Sequence, residues 1–277
     1  MPVKVSVIVT TYNSPAYLAS VLNGYIRQTR LPDELVIADD GSTQETGDMV
    51  ERFSKFAPFP VFHVWHEDRG FRAAAIRNKA VYASSGNYIV FTDGDCIPSP
   101  TFVADHLRLS RKGFFIQGRR MLLSRDVSCK VSEYRLKDLF SLALQGGLSG
   151  CHHLVRIPGF AVIKNGLRGI KTCNFSLSRE DVFAVNGFNE DFAGWGREDA
   201  EFAARLFALG LKRRDPLFSA IVLHLWHQEN NRENLELNEQ LLRQAAESGS
   251  YYCTNGLRKP CHDLSGAEHD ETEKQVP

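Results

Sequence analysis

Short apolar runs alternate with helix-like segments over the first third of the chain, and this alternation constrains the fold more than any other feature. The runs begin at Val5, Glu34, Val61 and Tyr88, and they are rich in the β-branched residues typical of strands buried on both faces. A repeated strand–helix–strand order predicts a mostly parallel sheet with right-handed crossovers. We therefore expect an α/β fold in which residues 1–100 bind a ligand at the carboxyl ends of the strands.

Polar residues follow three of these runs, at the edge where such a sheet binds its ligand. They are Thr10, Thr11, Tyr12 and Asn13 after the first run, Asp39 and Asp40 after the second, and Asp93, Gly94 and Asp95 after the fourth. Two acids at one strand end are costly unless a positive group lies beside them. Mg²⁺ or Mn²⁺ carrying a diphosphate is the natural candidate, because both cations prefer carboxylate and phosphate oxygens. Taken alone, the Asp-Gly-Asp pattern could equally be a surface turn.

Composition narrows the classes of function. The 277 residues include 33 basic and 33 acidic side chains, so the overall charge gives no reason to expect a nucleic-acid partner. No apolar run approaches the ~20 residues that cross a bilayer, and no signal peptide precedes the first strand. The six cysteines lack C-x-x-C spacing, which indicates reduced thiols and no zinc site. We expect a cytoplasmic protein.

The second half of the chain is less regular. We predict helices over 132–145 and 198–209, the latter preceded by Gly194-Trp195-Gly196. A strand over 218–225 would carry His224 near its end, with His227 three residues later. Past residue 254 the sequence is polar and lacks apolar periodicity, which predicts a disordered tail over 255–277.

Four motifs occur in the order found in a known enzyme family. They are Val5-Ser6-Val7-Ile8-Val9-Thr10-Thr11-Tyr12-Asn13, Asp39-Asp40-Gly41-Ser42, Asp93-Gly94-Asp95 and Gly194-Trp195-Gly196-Arg197-Glu198-Asp199. Over about residues 3–230 the set resembles the inverting, nucleotide-sugar-dependent glycosyltransferases of family 2, which have the GT-A fold. The last motif is also similar to the acceptor-side motif of β-1,4-galactosyltransferases and chondroitin-polymerase-type enzymes. The resemblance implies one domain over 1–254, in which a nucleotide-sugar-binding half (1–100) is continuous with an acceptor-binding half (101–254).

The resemblance also implies roles on the nucleotide side. Thr10, Thr11 and Asn13 would surround the uridine, with Tyr12 stacking near the base. Asp40 matches the acid that accepts a hydrogen bond from uracil N3. Arg72 stands where family members place a basic residue near the nucleotide, with Arg77 and Asn78 supporting the same wall. Asp93, next to Gly94, would contact the ribose or the donor sugar.

On the acceptor side, the resemblance makes Asp199 the catalytic base, with Glu198 hydrogen-bonding the acceptor. Trp195, between Gly194 and Gly196, would be the sugar platform. Asp95 would bind the metal together with His224, for which His227 is an alternative. Each assignment has a plainer interpretation. The two acids are also common first-turn helix residues, Trp195 could be core, and the histidines could be ordinary half-buried side chains.

The implied reaction is metal-dependent, inverting transfer of a hexose or N-acetylhexosamine from a UDP-sugar to a saccharide hydroxyl. The acceptor would be a polysaccharide, lipopolysaccharide or glycolipid of the cell envelope. A nucleotidyltransferase and a non-catalytic nucleotide-sugar-binding protein remain as alternatives, although no Gly-rich phosphate loop supports the former. The basic residues from Arg119-Arg120 to Lys137 could be a solvated face. They could instead attract an anionic glycolipid or the cytoplasmic face of the inner membrane.

Overall fold

The structure is a computed structural model that describes residues 3–130, 139–228 and 232–259. The alternation predicted for the first half is present, and the strands have nearly the expected bounds. The elements are β1 (Val5–Thr11), α1 (Pro15–Ile26), β2 (Glu34–Asp39), α2 (Gln44–Ser54), β3 (Val61–Trp65), α3 (Ala73–Ala83), β4 (Tyr88–Asp93) and β5 (Cys96–Pro98).

The second half contains shorter strands and several helices that the sequence pattern did not predict. Its elements are α4 (Phe102–Leu109), β6 (Phe114–Gln117), β7 (Arg119–Leu123), α5 (Arg125–Cys129), α6 (Leu139–Leu144), β8 (Leu148–Ser149), β9 (Ala161–Lys164), β10 (Asn174–Ser178), α7 (Arg179–Ala184), α8 (Glu198–Ala208), β11 (Lys212–Pro216), β12 (Ile221–His224) and α9 (Leu235–Ser248). The predicted helix over 132–145 begins outside the described residues, and α6 is its described part. Among the described helices, none combines the length and the apolar content needed to cross a lipid bilayer.

Strand β12 is shorter than the predicted strand over 218–225. The chain leaves one sheet at Pro216, the last residue of β11, and enters another at Ile221. Ala220 has φ +52° in this connection, a conformation that interrupts extended backbone. The pattern of apolar residues continues through the connection, and for this reason the sequence could not show the break.

Within the described residues, eight strands form one sheet in the order β3-β2-β1-β4-β10-β6-β11-β9, and four form a second in the order β5-β12-β7-β8. Strand β1 runs parallel to β2 and β4. Its residue Thr10 lies opposite Asp93, and Thr11 lies opposite Asp39. The polar residues of the first half therefore meet at one edge, as an α/β sheet of this order requires.

Apolar side chains cover both faces of the large sheet. In β1, Val7 and Val9 belong to one buried cluster and Ile8 belongs to the cluster on the other face. On the second face, the rings of Phe188 and Phe202 stack at 4.2 Å, and Phe91 meets Phe188 edge-on at 5.3 Å. Because Phe91 lies in β4 and Phe202 in α8, this aromatic group fixes the start of α8 beside the end of β4.

The domain body extends past residue 254, where we predicted that a tail begins. The amide of Leu257 donates to the carbonyl of Asn186 at 2.8 Å, and the Asn186 side chain donates to the Cys253 carbonyl at 2.7 Å. Residues 255–259 are therefore held against the loop after α7. The rest of the predicted tail, 260–277, lies outside the described residues.

Candidate active site

At the end of β2, Asp40 is buried and anchors the neighbouring loop. Its carboxylate accepts a hydrogen bond from the backbone N–H of Arg72 at 2.8 Å and lies 2.6 Å from Nε2 of His66. Burial raises the pKa of Asp40. Beside it, Tyr12 is 49% exposed and its hydroxyl donates to Asp68 at 2.8 Å. The predicted nucleoside residues Tyr12, Asp40 and Arg72 thus share one open edge, to which His66 and Asp68 add two groups that no motif indicated.

Two glycines allow close backbone approach at this edge. Gly41 has φ +97°, and a Cβ there would lie 2.5 Å from the Cα of Asp68. A Cβ on Gly94 would lie 2.8 Å from the Thr11 hydroxyl. Any larger residue would separate these segments, so the glycines hold the strand ends together.

Arg77 lies at the junction of the two halves. Its guanidinium is buried and lies 3.4 Å from Asp93, 3.3 Å from Glu198 and 3.3 Å from Asp199. Its Nε also donates to the Thr10 hydroxyl at 3.2 Å. All three ion-pair distances are longer than the ~2.8 Å of a bidentate arginine–carboxylate pair. Arg77 is therefore not paired with a single acid, and its charge is shared among the three.

We predicted that Arg77 and Asn78 of helix α3 support the nucleotide wall. In the described chain Arg77 contacts the three acids and also Thr10, one of the residues predicted around the uridine. The Asn78 side chain forms hydrogen bonds with the backbone of Phe188 and with the Glu190 carboxylate. Both residues are buried in α3, where a helical pattern gives no indication of the partner that each side chain meets.

Two of the acids around Arg77, Asp93 and Glu198, have raised pKa values. Burial raises the pKa of Asp93, an effect that Arg77 opposes and the charges of Asp95 and Asp199 reinforce. Burial also raises the pKa of Glu198, which lies next to Asp199. A group of acids crowded around one arginine cannot all ionise without further positive charge.

Asp199 is held at the start of α8 by hydrogen bonds from a distant loop. One carboxylate oxygen accepts from the Thr172 hydroxyl at 2.6 Å, and the other accepts from the Thr172 N–H at 3.0 Å. The side chain remains 22% exposed, whereas Glu198 is 9% exposed. Of the two predicted catalytic acids, Asp199 is therefore the one that a bound ligand can reach more easily.

The loop that carries Trp195 is supported by α9. Asn238 in that helix donates to the carbonyls of Ala193 at 3.2 Å and Gly196 at 3.0 Å. Gly194 and Gly196 have φ +73° and +106°, values that favour glycine. The half-buried ring of Trp195 has the Arg232 guanidinium 5.4 Å from its centre.

Asp95, His224 and His227 come together at the end of β4. Oδ2 of Asp95 lies 3.1 Å from Nε2 of His227 and 3.7 Å from Nε2 of His224, and the three possible ligand atoms lie within 4.8 Å of one another. The hydrogen bond to Asp95 raises the pKa of His227 to about 9, whereas burial lowers the pKa of His224. Burial disfavours the ionised form of Asp95, but hydrogen bonds from His227 and from the Cys96 thiol hold the pKa of Asp95 below its usual value.

This set of donors fits a divalent cation. A carboxylate and two imidazoles suit manganese and other transition metals better than magnesium, which prefers oxygen ligands. Nδ1 of His227 lies 2.8 Å from the carbonyl of Gln228, a contact that leaves Nε2 directed at Asp95. The sequence left His224 and His227 as alternatives, and the structure brings both to Asp95.

Two comparisons with protein-family models match the chain. The model for glycosyl transferase family 2 matches residues 6–163, more than half of the chain. The chain belongs to glycosyl transferase family 2. A second model, for the N-terminal domain of galactosyltransferase, matches residues 153–228, the stretch that contains Thr172, Asp199, His224 and His227.

Curated relatives and solved structures agree with this family. Validoxylamine A glucosyltransferase from Streptomyces hygroscopicus subsp. limoneus is 29% identical over 226 residues, which are 74% of this chain and 48% of the relative. Chondroitin synthase from Escherichia coli is 23% identical over 74% of this chain and 32% of its own length. The chain therefore spans about half or less of the curated relatives it matches.

The solved structures establish the fold. The S. aureus TarS 1–349 crystal structure superposes with a TM-score of 0.62 and 17% identity, covering 87% of this chain and 65% of that one. The mannosyltransferase PcManGT from Pyrobaculum calidifontis, solved with GDP-Man and Mn²⁺, gives a TM-score of 0.56 and 17% identity over 90% of this chain and 73% of that one. The predicted GT-A fold of this family 2 domain is confirmed.

An apolar cavity lies on the face of the four-stranded sheet opposite to His224. It has a volume of about 600 Å³, and Met121, Ile221 and Leu223 are among its lining residues. Leu223 precedes His224 in β12, so the two side chains project to opposite faces of the sheet. The cavity is thus separated from His224 by the strand that carries it.

Sequence reasoning did not indicate the contacts that Thr172 and Arg77 make with Asp199, or those that α9 makes with the Trp195 loop. Thr172 lies 27 positions before Asp199, and Arg77 lies 122 positions before it. No motif surrounds Thr172, and α9 has no sequence link to the Trp195 loop. Only the fold of the glycosyltransferase domain brings these parts together.

Proposed function

We propose that this family 2 domain is a metal-dependent, inverting glycosyltransferase that moves a hexose or N-acetylhexosamine from a UDP-sugar to a saccharide hydroxyl. The observation that carries the proposal is the meeting of acids from both halves around Arg77. Asp93 lies on one side of this guanidinium at 3.4 Å, and Asp199 lies on the other at 3.3 Å. A donor sugar above Asp93 would therefore have its acceptor side next to Asp199.

The nucleotide edge supports a uridine donor. Asp40 has two hydrogen-bond partners and, as a carboxylate, can accept further bonds, including one from uracil N3–H. The half-exposed ring of Tyr12 offers a surface on which a base can stack. TarS has been solved with UDP and with UDP-GlcNAc, which agrees with this choice of donor.

Asp199 would act as the general base. A sugar hydroxyl is a poor nucleophile, so a carboxylate must accept its proton as the bond to the anomeric carbon forms. Asp199 is partly exposed and is oriented by Thr172, whereas Glu198, more buried, would hydrogen-bond the acceptor. One base and direct displacement invert the configuration at the anomeric carbon. A hydrolase, by contrast, needs a second carboxyl as acid.

Asp95, His224 and His227 would hold Mn²⁺ in preference to Mg²⁺, because two of the three ligands are imidazoles. A bound cation would neutralise the negative charge that the nucleoside diphosphate acquires on leaving. The contact between Nδ1 of His227 and the Gln228 carbonyl supports this assignment, because it orients the ring with Nε2 towards Asp95.

The acceptor would be a growing saccharide of the cell envelope, free or on a lipid. Hyaluronan synthase from Pasteurella multocida is 28% identical over 75% of this chain, and chondroitin synthase is another relative. A location in the cytoplasm or on the cytoplasmic face of the inner membrane, where UDP-sugars are made, belongs to the same proposal.

The test is a panel of UDP-sugars incubated with Mn²⁺ and saccharide acceptors, with products measured by mass spectrometry. We expect release of UDP together with a product one sugar residue heavier. A nucleotidyltransferase would instead use added pyrophosphate to convert the UDP-sugar to UTP and a sugar 1-phosphate, and tight UDP binding without turnover would identify a binding protein. Addition of EDTA should abolish transfer, and Mn²⁺ should restore it.

A further inference from the structure

A small polar pocket lies next to the residue that holds Asp199. Its volume is about 190 Å³, and its lining includes Gln117, Arg119, Arg120, His153 and Lys171. Ligand pockets usually have ~300 Å³ or more, so this one suits a single chemical group rather than a whole ligand.

The backbone of Lys171 is held in place by the side chain of Gln117. The buried side chain of Gln117 accepts a hydrogen bond from the Lys171 N–H at 2.8 Å and donates to the Lys171 carbonyl at 3.1 Å. The next residue, Thr172, donates twice to Asp199. The pocket and the proposed base are therefore connected through two consecutive, rigidly held residues.

Arg120 lies on the same face of the small sheet as His224. In the parallel register of β7 and β12, Arg120 pairs with Val222 and Leu122 pairs with His224. Since alternate residues of a strand point to one face, Arg120 and His224 share a side.

Within the described residues, neither of the two cations is paired with an acid. Arg119 is paired with Asp215 at 3.2 Å, whereas the side chains of Arg120 and Lys171 are half-buried and form no hydrogen bond or ion pair within the described residues. Partly desolvated charges are costly when they are unpaired. An anion in the pocket would remove this cost.

The position of the pocket in the sheet indicates which substrate would supply the anion. Asp40 follows β2 and Asp93 ends β4, whereas Gln117 and Asn174 of the pocket belong to β6 and β10. In the order β2-β1-β4-β10-β6, the pocket lies on the side of β4 away from the nucleoside edge. The acceptor must also lie there, because Asp199 has to reach its hydroxyl.

We propose that Arg120 and Lys171 form an anion subsite that binds a carboxylate or phosphate group of the acceptor, next to the hydroxyl that receives the sugar. The enzyme would then select acidic saccharides over neutral ones of the same shape. This subsite rests on the proposed function, since it takes Asp199 as the base.

The experiment uses the full chain, labelled with ¹⁵N and saturated with UDP in the presence of a large excess of Mg²⁺. The excess offsets the weaker binding expected of Mg²⁺, and this cation is used because Mn²⁺ would broaden the spectra. Methyl glucuronide, methyl phosphate and the neutral methyl glucoside are added separately at constant ionic strength. We expect one or both anions, but not the glucoside, to give saturable shifts of the Lys171 and Thr172 amides. The stronger of the two anions identifies the acidic group as a carboxylate or a phosphate.

Variants make the test specific. The double variant Arg120→Gln/Lys171→Gln should weaken anion binding at least about tenfold, the effect of losing one charge-assisted hydrogen bond. Lys79→Gln/Lys112→Gln removes the same charge from two exposed lysines and should change nothing. Lys171→Arg keeps the charge and should retain binding, which controls for damage to the fold.

Two results would overturn the subsite. One is the absence of saturable shifts with either anion while UDP still binds. The other is a double variant that loses UDP affinity but keeps its response to the anions, which would assign the cations to the donor diphosphate. Failure of UDP to bind the unmodified protein would contradict the proposed function instead, so the two ideas fail separately.

Discussion

The proposed nucleotide edge and the proposed acceptor side of the site are built in different ways. At the nucleotide edge, Asp40 and Asp93 lie at the ends of the strands that position them. On the acceptor side, Asp199 depends on Thr172 and Arg77, which are 27 and 122 positions away in the chain. Local strand geometry builds the first region and tertiary contacts build the second. The two should therefore respond differently to substitution.

Asp199→Asn should give the largest difference between an effect on the transfer rate and an effect on UDP affinity. An amide cannot accept the proton of the acceptor hydroxyl, so the transfer rate should fall about 10²–10⁴-fold. Affinity for UDP, measured by calorimetry with Mn²⁺, should stay unchanged, because Asp199 lies on the acceptor side. Asp181→Asn is the matched control, since Asp181 is also a first-turn acid, in α7. Equal losses of rate and UDP affinity would show that the two regions are not separable.

Arg77 connects the two regions, and Arg77→Met should break that connection. Three acids would lose their shared buried cation, so the free energy of unfolding should fall by about 3–5 kcal/mol at pH 7.5. Burial raises the pKa values of Asp93 and Glu198, and removing Arg77 would raise them further. The deficit should therefore shrink at pH 5.5, where these acids can bind protons in the folded state.

Urea denaturation of the variant at both pH values tests this expectation. Arg179→Met is the control, because Arg179 stacks on the Phe183 ring at 4.4 Å and lies outside the acidic group. A deficit that is the same at pH 5.5 and pH 7.5 would mean that Arg77 stabilises the fold by packing rather than by charge.

This difference also explains how much the sequence could predict. Periodicity placed the four parallel strands, and the strand ends brought Thr11, Asp39 and Asp93 to one edge, because both signals are local. The grouping of Asp95 with His224 needed the family resemblance as well. Thr172 carries no local signal, since it meets Asp199 of α8 only through the tertiary fold.

Where the two sheets meet, His106 should have a smaller effect on stability, and this effect should depend on pH. His106 is buried, with its ring nitrogens 2.7 Å from the Ser176 hydroxyl and 3.0 Å from the Asn174 side chain. Asn174 in turn donates to the carbonyl of Arg119, the first residue of β7, and to the carbonyl of Ala220, which precedes β12. Both strands belong to the four-stranded sheet. Burial lowers the pKa of His106 to about 4, so protonation is resisted in the folded state.

The sign of the pH dependence follows from that shift. Below its ordinary pKa of about 6.5 the unfolded chain binds a proton that the folded His106 does not, so stability is lost as the pH falls from about 6.5 towards 4. Between pH 7 and pH 5 the loss should be about 2 kcal/mol. In urea denaturation, His106→Gln should lack this part of the pH dependence. A variant with the same pH profile as the unmodified protein would remove His106 from the explanation.

The smallest effect is expected at the nucleotide edge, where Asp40→Ala should weaken UDP binding about tenfold through loss of one hydrogen bond to a charged acceptor. The rate at saturating UDP-sugar should stay close to that of the unmodified enzyme, because Asp40 contacts neither Asp93 nor Asp199 in the described structure. Asp48→Ala, in the exposed face of α2, is the control for loss of an acid near the same strand.

Asp40→Ala and Asp199→Asn then form a reciprocal pair, one acting on UDP affinity and the other on the transfer rate. If Asp40→Ala slowed turnover and left UDP affinity intact, the nucleoside would have to bind elsewhere, and the division of the site into a locally built donor edge and a tertiary acceptor side would be wrong.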